Sequence, residues 1–187
     1  MKVETTGLPG VLLISPTLRT DSRGSFHEAW HATRYQDAGL PVSWAQDNVS
    51  RSGRGVLRGL HFQHPRAQGK LVSVLAGEIL DVAVDIRVGS PTFGQSVAEV
   101  LDATTARQLY VPAGFAHGFA VVSDEAVVHY KCTERHAPEF EHIIAWNDRS
   151  LGIDWRVDRP ILSTKDSDAR SLSDFSTDEL PRYESST

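Results

Sequence analysis

The chain has 187 residues, enough for one substantial domain and short for two. With 40% hydrophobic and 23% charged residues, its composition excludes wholesale disorder. Nineteen basic side chains against 24 acidic ones leave a net charge of −5, so neither nucleic acid nor an anionic membrane is an expected partner. The pattern along the chain is mostly extended. VLLIS (Val11 to Ser15) opens the series, and a short helix is expected near Thr33 to Ala38, ended by Gly39 and Pro41. Strand-like runs follow at Val56 to Phe62, Lys70 to Gly77, Ile79 to Arg87, Arg107 to Val111, Gly118 to Val122 and Ala126 to Cys132.

The clearest of these is ILDVAVDIR, from Ile79 to Arg87. Leu80, Val82, Val84 and Ile86 alternate with Asp81, Ala83, Asp85 and Arg87, which predicts a strand with one buried face. Turns are marked by Ala76-Gly77-Glu78, Gly89-Ser90-Pro91 and Pro112-Ala113-Gly114. Many short strands at this spacing predict an all-β antiparallel sandwich or barrel with a few short helices. No linker or repeat divides the chain, so a single domain is expected, closed by a polar tail over 171–187. The N-terminal residues lack the apolar core of a signal peptide, and no apolar run reaches the ~18 residues of a membrane helix. The lone cysteine, Cys132, can form no internal disulfide, and a cytoplasmic location is expected.

Positive charge is gathered in one stretch. No acidic residue lies between Asp47 and Glu78, while Arg51, Arg54, Arg58, Arg66 and Lys70 do, with His61 and His64 among them. Arg51, Arg54 and Arg66 read as an exposed basic surface. Arg58 and Lys70 differ, because they lie in strand-like runs beside His61, and a cation on a barrel wall needs an anion or open solvent. Guanidinium groups match phosphate oxygens with paired hydrogen bonds, which favours a phosphorylated small molecule there.

Three histidines stand out: His61 and His64 in RGLHFQH, and His117 in PAGFAHGF. This arrangement resembles the cupin superfamily, whose barrels often hold a metal. Metal-binding cupins place two histidines at alternate positions of one strand, with a carboxylate shortly after. Here the spacing is three, Gln68 and Lys70 stand where the acid would be, and an ammonium repels a divalent ion. No metal is therefore expected. A histidine beside a lysine and a phenol suits removal of a proton next to a carbonyl. Imidazole titrates near pH ~6.5, a fixed cation stabilises the enolate, and an acid on the other face returns the proton. His61, Lys70 and Tyr130 are the candidates; the competing reading of Tyr130 is a core-edge aromatic with its hydroxyl in solvent.

From these residues the sequence resembles the dTDP-4-dehydrorhamnose 3,5-epimerases. The resemblance is carried by DSRGSFHE (Asp21 to Glu28), QDNVSRSGRGVLRGLHFQ (Gln46 to Gln63), the long segment from Gln68 to Gly94, and LYVPAGFAHGFAVVS (Leu109 to Ser123). YKCT (Tyr130 to Thr133), WND (Trp146 to Asp148) and LSTKD (Leu162 to Asp166) complete it. It implies a double-stranded jelly-roll barrel of cupin type and a cofactor-free epimerase of dTDP-sugars, working as a homodimer whose N-terminal strands, about residues 1–30, cross to the partner. It further implies His61 as base, Asp166 as its orienting carboxylate, Lys70 at the enolate and Tyr130 as acid. Arg58 and His117 would meet the pyrophosphate, Gln46 and Asn48 would line the sugar and phosphate pocket, and Arg23, Phe26 and Glu28 of a partner chain would hold the nucleotide. Two positions depart from the family pattern. Glu134-Arg135-His136 replaces the segment with the base-stacking tyrosine, leaving the His136 imidazole to stack, and Ser25 replaces an aromatic.

Three alternatives follow from the same residues. One is an epimerase that inverts a single carbon. Another is a metal-dependent cupin oxygenase built on His61, His64 and His117, and the third is a sugar-nucleotide binder without chemistry.

Overall fold

A computed structural model describes residues 1–184. Thirteen strands dominate: β1 (Lys2–Thr5), β2 (Leu12–Ser15), β3 (Arg19–Asp21), β4 (Gly24–Phe26), β5 (Gln46–Gly53), β6 (Leu57–Gln63), β7 (Lys70–Ala76), β8 (Glu78–Asp85), β9 (Ser96–Asp102), β10 (Gln108–Val111), β11 (Phe115–Val121), β12 (Glu125–Cys132) and β13 (Glu141–Ile143). Two short helices join them, α1 (Ala32–Asp37) and α2 (Thr164–Ser167). A six-stranded sheet runs β1-β2-β10-β7-β12-β5, and a five-stranded sheet runs β13-β6-β11-β8-β9. Every pairing within them is antiparallel, and the two sheets face each other as a jelly roll. Among the described residues no helix is long and apolar enough to cross a membrane.

Three apolar clusters account for the packing. Val72, Val74 and Val128 of the larger sheet meet Ile79, Ala83 and Phe119 of the smaller one, filling the barrel. On the outer face of the smaller sheet, Leu60, Phe62, Leu80, Val82 and Val84 are covered by Leu151, Trp155, Leu172, Phe175 and Leu180. The outer face of the larger sheet is covered in part, by Tyr35 and Leu40 over Ile14 and Leu71.

This layering corrects two expectations. β8 is buried on both faces: Asp81, Ala83 and Asp85 are as enclosed as Leu80, Val82 and Val84. A strand inside a barrel wall that is itself overlaid has no solvent side. The segment expected as a polar tail over 171–187 supplies that overlay. Leu172, Phe175 and Leu180 are buried, Arg170 lies over the Phe175 ring, and Val88 bridges to Arg182; residues 185–187 lie outside the described residues. β1 and β2 pair with their own chain's β10, and Leu8 and Val11 sit in its core. Of the first thirty residues, expected together to cross to a partner, the β3–β4 hairpin is the part whose residues are all exposed.

Candidate active site

Polar side chains replace apolar ones at one end of the barrel interior. Register explains how. Across the larger sheet Gln46 pairs with Cys132, Cys132 with Lys70, and Asn48 with Tyr130, so two adjacent rows of inward positions carry all five. Opposite, His61 on β6 pairs with His117 on β11. Between His117 and Phe119 the β6–β11 register shifts, which brings Arg58 and His61 to one side although they are three residues apart. Gly59 makes the irregularity feasible: its φ is +130° and an added Cβ would lie 2.5 Å from Gly118 Cα. The cavity so formed measures about 310 Å³.

His61 and Asp166 are its central pair. His61 Nε2 lies 2.5 Å from Asp166 Oδ1, and Asp166 is 3% exposed. Burial pushes the Asp166 carboxyl upward, but hydrogen bonds from His61 and Ser163 outweigh it and hold the group below the usual carboxylate range. An ionised carboxylate can only accept, so Nε2 carries the proton and Nδ1 is left as the basic nitrogen. The helix that delivers Asp166 is short, and Ser163 at its N-cap accepts from the Asp166 amide.

Lys70 is buried on the opposite wall. Desolvation lowers its pKa, while the fields of Cys132, Asp81 and Glu141 favour the charged form. Tyr130 is part-buried and lines the same cavity, contrary to the solvent-facing alternative; burial and the nearby Cys132 raise its pKa, with Arg58 opposing. Arg58 donates to Ser52 at 3.1 Å, and Gln46 donates to Asn48 at 2.8 Å. His117 is buried with Nε2 2.9 Å from Asp81 Oδ1, yet also lines the cavity. His136 sits at the rim, its amide donating to Gln46 Oε1 and its ring 3.4 Å from Glu141.

For a divalent cation this donor set is a poor fit. His61 and His117 are each committed to a carboxylate, and the Lys70 ammonium shares the cavity. His64 is outside it, its carbonyl facing His142. Among the described residues no group of three or more His, Cys, Asp and Glu is spaced to hold a metal. The cation-rich surface is paired away from the site: Arg51 with Glu125, Arg54 with Asp124, Arg66 with Glu134.

Arg23, Phe26 and Glu28 do not line this cavity. Arg23 pairs with Asp21, Glu28 pairs with Arg34, and Phe26 is 71% exposed. Conversely, Ser163, Lys165 and Glu141 do line it and were not singled out from the sequence. Glu141 accepts from Lys165 at 2.6 Å, and although burial opposes it, this bond and the nearby His61 hold its carboxyl below the usual range. Ser163 and Lys165 lie inside the LSTKD motif, so the motif was the available signal; Glu141, on a three-residue strand, gave none.

The sequence profile of the dTDP-4-dehydrorhamnose 3,5-epimerases matches residues 5–174. A Pseudomonas aeruginosa protein of that name is 52% identical over 176 residues, 93% of this chain and 97% of its own length. A solved dTDP-6-deoxy-D-glucose-3,5-epimerase from Legionella pneumophila, in complex with dTDP-4-keto-L-rhamnose, is 47% identical and superposes with a TM-score of 0.96 over 98% of this chain and 99% of that one. A Streptomyces niveus dTDP-4-dehydrorhamnose 3-epimerase is 41% identical over 93% of this chain and 85% of its own. With the matched profile covering most of its length, this chain belongs to the dTDP-4-dehydrorhamnose 3,5-epimerase family.

Proposed function

We propose that the protein inverts C3 and C5 of dTDP-4-dehydro-6-deoxyglucose, giving dTDP-4-dehydro-L-rhamnose without a cofactor. His61 Nδ1 removes the proton from a carbon beside the C4 ketone. Asp166 holds the resulting imidazolium through Nε2. Negative charge moves to the ketone oxygen, where the Lys70 ammonium stabilises it in a site that already excludes much of the solvent. Tyr130 returns a proton to the opposite face; its phenol is protonated at neutral pH, as a donor must be, and burial favours that form further. Arg58 and His117 bind the pyrophosphate, Gln46 and Asn48 line the sugar and phosphate, and His136 stacks on the base.

The working unit in this reading is a homodimer. Arg23, Phe26 and Glu28 leave their own cavity bare and reach a second copy's nucleotide. Val49 and Leu75, 64% and 56% exposed on the outer side of the six-stranded sheet, give two copies an apolar surface to share. A cytoplasmic setting suits the single unpaired thiol.

The His61–Asp166 pair facing Lys70 and Tyr130 across one cavity carries the proposal. Turnover in deuterated water should place deuterium at both C3 and C5, and His61→Asn should abolish exchange at each. No exchange at either carbon, or an asparagine variant that turns over normally, would overturn it. A product labelled at one carbon alone would instead support single inversion, the activity in the name of a relative 41% identical to this chain.

A further inference from the structure

The Asp166 carboxylate is held at both oxygens. Oδ1 faces His61 Nε2, and Oδ2 accepts from the Ser163 hydroxyl at 2.7 Å. We infer that Ser163 is a positioning residue of this site, whose hydroxyl fixes Asp166 in the orientation that leaves His61 Nδ1 free of a proton. The inference rests on His61 being the base.

One hydroxyl does two things here. Its lone pair accepts the Asp166 amide at 3.2 Å while its proton goes to Oδ2, so its direction is fixed from both ends. The charged and titratable groups around Asp166 are His61 on β6, Glu141 on β13, Lys165 on its own helix, and Lys70 across the cavity. None of them donates to Oδ2 among the described residues: Lys165 is committed to Glu141. With the hydroxyl gone, burial favours the protonated carboxyl. A protonated Asp166 turns its O–H toward Nε2, the ring takes the other tautomer, and Nδ1 then presents a proton where the base must be bare. Tautomer control, rather than substrate contact, is therefore what Ser163 supplies.

The test uses Ser163→Gly and Ser163→Thr in the full enzyme, with kcat and KM measured across pH on the dTDP-4-keto sugar. Glycine is a tolerable N-cap, so Ser163→Gly removes the hydroxyl at little cost to α2. Its kcat should fall about tenfold to hundredfold, within what a positioned base contributes, while KM changes by less than about twofold. The acid limb of kcat should move to higher pH, because Asp166 loses a bond that favours its ionised form. Ser163→Thr, which keeps the hydroxyl, should restore both. A purely structural Ser163 would lower thermal stability without moving the limb. Wild-type kcat and acid limb in Ser163→Gly, or equal losses in the threonine variant, would overturn the inference. His61→Asn run alongside separates the two failures: active His61→Asn removes the base itself, whereas inactive His61→Asn with normal Ser163→Gly removes only this role.

Discussion

Tyr130 and Lys70 sit on neighbouring strands, and burial moves their pKa values in opposite directions. It raises the phenol and lowers the ammonium, favouring the neutral form of each. For Tyr130 this preserves the donor; for Lys70 it is a cost, opposed by Asp81 and Glu141. Tyr130→Phe removes the proton donor and leaves the base and enolate cation in place. That variant should still exchange hydrogen from solvent yet fail to invert C5, which deuterium counting and product stereochemistry will show. Full epimerisation by it would assign the acid elsewhere. At this scale the sequence was informative where side-chain chemistry is distinctive. His61, Lys70 and Tyr130 could be typed by what a proton transfer next to a carbonyl needs. Asp166 could not be told from Asp81 or Asp85 by local pattern, since all three end up buried and differ only in which histidine or arginine each meets. It came from the resemblance alone. Ser163 had no signal outside the LSTKD motif, because serine caps are common, and Glu141 had none at all.

Among elements, strands written as apolar runs were legible and mixed ones were not: β9, with Leu101 and Val97 in the barrel core, was passed over. Seven strands, β2, β6, β7, β8, β10, β11 and β12, were marked by apolar runs. β5 was missed as a strand: Gln46 and Asn48 face the cavity, while Asp47, Arg51 and its one aliphatic residue, Val49, face out. The β6 irregularity was also invisible, because period-two reasoning assumes an unbroken ladder. The overlay on the smaller sheet depends on an element the sequence disguised. Arg87 pairs with Asp85 and lies over the rings of Phe115 and Tyr183, joining β8 to the closing segment. Asp85 has no exposed side-chain surface. Burial pushes its carboxyl up, but bonds from Arg87, Ser90 and Thr92 bring it down to about 2. A depressed carboxylate stabilises the fold above its unfolded pKa, near 3.9, and that contribution is lost as pH falls toward 2. Asp85→Asn should therefore cost about 2 kcal/mol at neutral pH, with the gap to wild type closing as the pH approaches 2. Denaturant midpoints across that window check it; a gap that stays constant would assign the loss to packing.

For the whole molecule the placement of charge matters more than its sum. A chain at −5 that binds a dianionic nucleotide must concentrate cations, and the cavity of one copy offers Arg58 and Lys70. Arg23, with 89% of its side chain exposed on the β3–β4 hairpin, is a further cation that its own cavity does not use. No hydrophobic period marks that hairpin, since its function in this reading is to meet a surface outside its own chain; only the resemblance indicated it. The reading makes a prediction that a self-sufficient subunit cannot satisfy. His61→Asn has a dead cavity and a sound hairpin, while a variant with Arg23→Ala and Phe26→Ala has the converse. Each should be inactive or nearly so alone. Mixed from the unfolded state and refolded together, half of the dimers are hybrids, and in each hybrid one sound cavity receives one sound hairpin. Activity should then recover to about a quarter of the wild-type value, as two-fold symmetry and random pairing require. The measurement is turnover of the refolded mixture against each variant refolded by itself, with the mass in solution followed alongside. Dimers that regain nothing would show that each copy completes its own site, and a monomeric wild type would remove the exchange altogether.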